Sequence, residues 1–339
     1  MLGISQTELA NRVGIAQGTL SKIEQGLKEV TDEFVDRLSQ ALNCHRSFFS
    51  LPERLYGGPV SASPMYRKKS SIGIKTIDKL IAELNVRIAH IRKLLQFVDF
   101  QPELPFPHFD PEEYERGAIT VAQYLRRTWY VPTGPIRNLV ELLERAGCII
   151  IDCDMDDSGL SGVSYNIHGL PPLIFINKNQ PLDRYRFTLA HELGHLIMHQ
   201  CPNPKMEEEA NAFAAEFLMP EKDISIYLSN ITIESSAALK PFWRTSMASL
   251  IYRARSLGKI SESQYIYIWR LMSAKGYKID EPVKLQRLGE EPSILKELFE
   301  KMRVDFDYTS YEVEVSFGLY SLELDHLYQK TQPYRLRAV

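Results

Sequence analysis

His191 and His195 stand four residues apart, with Glu192 directly after the first, inside the segment PLDRYRFTLAHELGHLIMHQ (181–200); no other feature restricts what this chain can form as tightly. Pro181 suits a first helical turn, and Leu189, Leu193, Leu196 and Ile197 recur at three- and four-residue spacing, so one helix is expected here. On a 3.6-residue period the two imidazoles lie one turn apart on one face and can meet a single ion. Glu192, one position round, is placed to take a proton from an attacking water rather than to bind the ion. Gly194, lacking a side chain, lets another element approach that face.

A catalytic zinc usually has three protein ligands and one open position, so a third donor must lie nearby. One large group of HExxH sequences takes it from a histidine six residues past the second, with glycine at the third; Cys201 and Met198 occupy those positions here. His199 is one alternative, but it stands two turns from His191. The favoured source is the next segment, KMEEEANAFAAEFLM (205–219), a helix introduced by Asn203 and Pro204 and stopped by Pro220. Its inward stripe is Ala210, Ala214 and Phe217, and one turn back along that stripe lies Glu207, the carboxylate expected to point at the ion, with Glu208 and Glu209 to its sides. The rival reading is that three glutamates in a first turn simply complement the helix dipole. Asn211, four residues after Glu207, is placed to orient a liganding imidazole.

Residues 184–220 resemble the ImmA/IrrE family of metallopeptidases, in which a segment like RFTLAHELGH is followed by E-x-x-A-N-x-F-A-A-E-x-L-M-P. Arg186 to His195, then Glu207, Ala210, Asn211, Phe213 to Glu216 and Leu218 to Pro220 carry the match, and it extends more weakly from about 120 to 288. The resemblance implies a zincin-like α+β domain with zinc held by His191, His195 and Glu207. It further implies a folded regulatory protein as substrate, such as a repressor or antitoxin. Short β-branched runs at Cys148–Ile151 and Leu173–Ile176 are expected as strands beside the HExxH helix. Arg186, Tyr165 and His168 are further candidates for substrate contacts, each more often structural.

The amino terminus has a different character. Ser5 caps a short helix in SQTELANRV with Glu8 three residues on, Gly14 breaks it, Gln17 to Gln25 reads as a second helix, and a third runs from about Thr31 to Asn43. Ser5, Gln6, Leu9, Ala10, Gly14, Ile15, Leu20, Ser21, Ile23, Glu24 and Gly26 resemble the XRE-type helix-turn-helix family. That resemblance implies DNA as a partner, with Gln17, Gly18, Thr19 and Lys22 facing the major groove, Gln suited to adenine edges and Lys to guanine or phosphate. The family's usual first helix is expected to be missing, since only four residues precede Ser5. Residues 1–100 hold a small basic surplus on a chain whose net charge is −3, which is compatible with DNA contact there.

At 339 residues the chain is long enough for two or three cores, and no run of about 18 apolar residues or basic leader marks a membrane span or signal peptide. A cytoplasmic protein with no membrane partner and four reduced cysteines is expected. The expected fold class is multidomain α+β. Residues 1–50 form the helix-turn-helix head and 51–110 a linker and long amphipathic helix; 111–235 form the peptidase domain and 236–339 a helical carboxy-terminal region. The linker is the Pro/Gly/Ser-rich 51–64, and the helix, about Ile74 to Phe97, is expected to pack on the next domain, with a coiled-coil homodimer as the alternative. Val313, Gly318, Leu324 and Leu327 repeat the spacing of Leu9, Gly14, Leu20 and Ile23, as a degenerate second helix-turn-helix used for docking would, although chance also produces such echoes. The expected function is a DNA-binding regulator carrying a zinc-dependent endopeptidase. Its rival is a non-proteolytic transcription factor or antitoxin-like protein that uses the peptidase fold as a sensor.

Overall fold

The structure, a computed structural model, describes residues 2–51, 55–57, 74–287 and 289–328; most of the 51–64 linker lies outside these. The described residues fall into two compact units. One gathers the head, residues 74–99 and residues 296–328; the other spans residues 100–295.

In the first unit, α1 (Gln6–Arg12) is capped by the Ser5 hydroxyl, which accepts from the Glu8 amide at 3.2 Å. After the turn at Gly14, α2 (Gln17–Glu24) and α3 (Asp32–Leu42, capped by Thr31) close a small core of Ala10, Val13, Leu20, Phe34 and Leu38. The expected helices are all present, each within a residue or two of its sequence-drawn limits. The long helix α4 (Ile74–Leu94) groups with the head and the carboxy-terminal helices, not with the domain that follows it. Its buried polar side chains explain why. Arg87 donates to the Leu327 carbonyl at 2.7 Å, and the His90 ring lies between the Phe317 carbonyl (2.8 Å) and the Tyr328 hydroxyl (2.7 Å). Burial drives the His90 pKa down to about 3, so it serves as a neutral hydrogen-bonding wedge. The echo near the carboxy terminus is a helix pair, Ser310–Phe317 and Ser321–Tyr328, joined through a left-handed Gly318 as α1 and α2 are joined through Gly14.

The second unit contains α5 (Ala118–Thr128), α6 (Leu139–Arg145) and a three-stranded sheet. Strand β1 (Ile149–Cys153) pairs parallel with β3 (Leu173–Asn177), and β2 (Gly162–Tyr165) pairs antiparallel with the other side of β3. β1 and β3 are the two expected strands; β2 was not foreseen, because GVSY is too short to show a period. Every residue of β3 is buried, since helices cover the sheet. The central helix α7 (Leu182–Met198) packs against β2, β3 and α8 (Met206–Leu218).

One apolar core runs from Val121 through Leu139, Ile174, Leu189 and Phe213 to Trp243, Leu250, Ile251 and Met272. Helices α9 (Glu221–Leu228), α10 (Ile233–Trp243), α11 (Met247–Ser256) and α12 (Glu262–Ala274) therefore complete the same core as the sheet. A boundary at 235 would cut that core in two, so the compact unit continues to residue 295. Buried ions brace it. Lys240 meets Asp183 and Glu281, each at 2.6 Å, and Glu281 also accepts the Met247 and Ala248 amides at the start of α11. Among the described residues no helix is long and apolar enough to cross a membrane.

Candidate metal centre and its surroundings

Helix α7 owes its position to its sequence: Leu189, Ala190, Leu193 and Ile197 are fully buried, and Gly194 faces α8. A methyl group at Gly194 would come within 3.0 Å of the Phe213 ring and 3.4 Å of the Ala210 Cα, so the glycine sets how closely the two helices approach. Gly162 does the same for β2. A Cβ there would lie 2.7 Å from the Thr188 methyl and 3.4 Å from the Glu192 Cγ. Two small residues thus let a helix and a strand close on α7 from different sides.

The consequence is a convergence of three donors. His191 Nε2 and His195 Nε2 are 3.0 Å apart, His195 Nε2 lies 3.2 Å from Glu207 Oε1, and His191 Nε2 lies 3.8 Å from Glu207 Oε2. Tetrahedral zinc, with bonds of about 2.0–2.2 Å, sets its donors about 3.3 Å apart. The three residues fit that ion in donor type as well, since two imidazoles and a carboxylate are ordinary zinc ligands that leave the fourth position open. They form a group of histidine and carboxylate side chains able to hold a metal ion among the described residues. The His195 side chain is 3% exposed, His191 16% and Glu207 30%, so the pocket opens towards the glutamate.

The remaining ring nitrogens are also engaged. His191 Nδ1 lies 3.1 Å from Asn211 Oδ1, where the sequence placed Asn211. An amide oxygen only accepts, so the proton sits on Nδ1 and leaves Nε2 with its lone pair. Burial pulls the His191 pKa below its ordinary value, and Glu192, then Glu207, oppose it. The neutral ring is the form a metal needs.

Glu192 is 4% exposed and accepts the Ser164 hydroxyl from β2 at 2.7 Å. Sequence reading missed Ser164, because it lies 28 residues before Glu192 on a strand without a local signature. His199 does not join the donors; its Nδ1 is 3.0 Å from His195 Nδ1 and its Nε2 is 2.9 Å from Glu209 Oε2. Of the other candidates, Arg186 is fully buried against Glu290 and the Ile136 carbonyl (2.6 Å), which gives it a structural role. Tyr165 packs edge-on to Phe175 at 5.9 Å, and His168 is exposed in the loop after β2.

Residues 143–255 match the IrrE N-terminal-like domain family, and residues 1–49 match the helix-turn-helix family. The chain carries an XRE-type helix-turn-helix head and an ImmA/IrrE-like metallopeptidase domain. Metallopeptidase ImmA of Bacillus subtilis (strain 168) is 28% identical over 105 residues, which cover 27% of this chain and 61% of that relative. The matched part of the ImmA/IrrE-like domain includes β1 to β3, α7, α8 and all three converging donors. Glu290, which holds Arg186 in place, lies beyond it. In the head, Gln17, Gly18 and Lys22 are exposed and Thr19 is half-buried. Gln17 donates to Gln6 at 2.5 Å.

Proposed function

We propose that the chain is a cytoplasmic transcriptional regulator that binds DNA through its head and cleaves a regulatory protein, a repressor or antitoxin, with a zinc-dependent endopeptidase domain. The observation that carries this reading is the meeting of His191, His195 and Glu207 beside a buried carboxylate that is not one of the three. His191, His195 and Glu207 hold the metal. Zinc, when bound there, supplies a Lewis acid for the scissile carbonyl and lowers the pKa of water towards about 7. Glu192, fixed by Ser164, accepts the proton of the attacking water and returns it to the leaving nitrogen. A scaffold that only held an ion would have no chemical use for a buried carboxylate at Glu192, which favours the enzyme over a metal sensor.

The metal is tested first. Wild-type protein equilibrated with zinc and desalted should retain one ion per chain. Glu207→Ala should bind more weakly by over ~100-fold, beyond the 10–100-fold that loss of an outer hydrogen-bond partner costs. Metal-free wild type under these conditions, or equal affinity in the variant, removes the site.

For the head, Gln17, Gly18, Thr19 and Lys22 form the proposed groove-facing set at the start of α2. Lys22→Ala should weaken DNA binding and reduce the slope of log affinity against log salt by about one. A wild-type protein that fails to retain any duplex at low salt is not a DNA reader.

A further inference from the structure

The proposed ligand His195 has a second ring nitrogen, and what that nitrogen meets is not water. His195 Nδ1 lies 3.0 Å from His199 Nδ1, and His199 Nε2 lies 2.9 Å from Glu209 Oε2. The Asn203 amide approaches the same carboxylate oxygen at 3.4 Å. His199, whose side chain is 1% exposed, stands at the end of α7, and Glu209 lies in the first turn of α8. We propose that Glu209 and His199 form a relay that fixes the tautomer and ring orientation of His195, which makes both of them positioning residues for the metal centre. This rests on the zinc-site reading above.

The protons can be assigned from the acceptor end. A carboxylate offers only lone pairs, so the hydrogen on the Glu209–His199 contact belongs to His199 Nε2. A neutral His199 then presents a bare Nδ1. The hydrogen between the two Nδ1 atoms must therefore sit on His195, whose Nε2 keeps its lone pair towards His191 and Glu207. Reversing the chain would place a proton on His195 Nε2, inside the space between the three donors, and would face two acceptors at the Glu209 end.

The two proposed histidine ligands are thereby held by outer partners of different character. His191 is held by a neutral amide oxygen on Asn211, whereas His195 is held through a second imidazole by an anion. An anionic outer partner raises the basicity of a ligand and fixes its ring. The sequence contains the pieces, a histidine four residues after His195 and a glutamate two after Glu207, but their pairing depends on how the end of α7 meets the start of α8.

The test uses the full-length protein with His199→Phe, His199→Gln and Glu209→Gln. Zinc affinity is measured by competition with a chromophoric chelator, alongside the unfolding temperature of the metal-free forms. His199→Phe should lower zinc affinity by ~10–100-fold. His199→Gln should recover most of that loss, because its carbonyl can accept from His195 Nδ1 and its amide can donate to Glu209; Glu209→Gln should fall between. In metal-free wild type, proton–nitrogen correlation spectra of the histidine rings should show His195 protonated on Nδ1. If wild type binds zinc and His199→Phe binds equally well, or Gln is no better than Phe, the relay is wrong. Protonation of His195 on Nε2 overturns it too, even if His199→Phe does not fold. Failure of wild type to bind zinc at all, with the Nδ1 proton in place, overturns the zinc-site reading instead.

Discussion

Glu192→Gln is expected to keep its zinc and to lower peptide cleavage by about 10²–10⁴-fold, the usual contribution of a positioned proton-transfer group. The substitution exchanges one oxygen for an amide nitrogen of nearly the same size, and the amide carbonyl can still accept the Ser164 hydroxyl that now reaches Glu192 at 2.7 Å. Nothing in the donor set changes, because Glu192 is not among the three converging residues. What is removed is the base. Zinc stoichiometry should therefore match wild type while turnover of the target falls, with the protein encoded by a neighbouring gene as the first substrate to try. If the variant regulates its target as wild type does while neither cleaves it, the peptidase reading fails and the domain is a sensor; if it cleaves as wild type does, Glu192 is not the base. If it loses zinc as well, Glu192 holds the ion and its assigned role is wrong.

Glu290→Gln is expected to destabilise the peptidase domain by ~3–5 kcal/mol, the cost of leaving a buried charge without its partner. Glu290 is 1% exposed and pairs with Arg186, meets Arg244 at 3.0 Å, and accepts the Leu139 amide at 2.8 Å at the start of α6. Burial draws the Arg186 pKa down to about 10, and Glu290 is the group that opposes it. With a neutral amide in place of the carboxylate, Arg186 would keep only the Ile136 carbonyl and the substituted side chain. The measurement is the urea midpoint of the domain's unfolding. An Arg186→Met, Glu290→Gln double variant should be more stable than Glu290→Gln alone, because the stranded cation is gone. A loss below about 1 kcal/mol in the single variant would show that water or a rearranged side chain satisfies Arg186, and that the pair does not brace α7.

Much of the centre was legible before the fold was known, and the reason is local. His191 and His195 share a face because the helix repeats every 3.6 residues, and the stripe Ala210, Ala214, Phe217 orients Glu207 by the same rule. The head was legible in the same way, through caps and glycine turns: Ser5, Gly14 and Thr31 lie where the structure uses them. The extent of the second unit was not, because its core joins Leu189 to Trp243 and Met272 through packing that no period announces.

The sequence by itself determined the elements and which side chains share a face on each, since the relevant interactions reach only three or four residues along the chain. Tertiary structure alone decided that Ser164 reaches Glu192 across 28 residues, that Arg186 meets Glu290 across 104, and that His199 lies between His195 and Glu209 rather than joining the donor set. Such pairs depend on chain closure and on the space left at Gly162 and Gly194, which are properties of the packed interior rather than of any one segment.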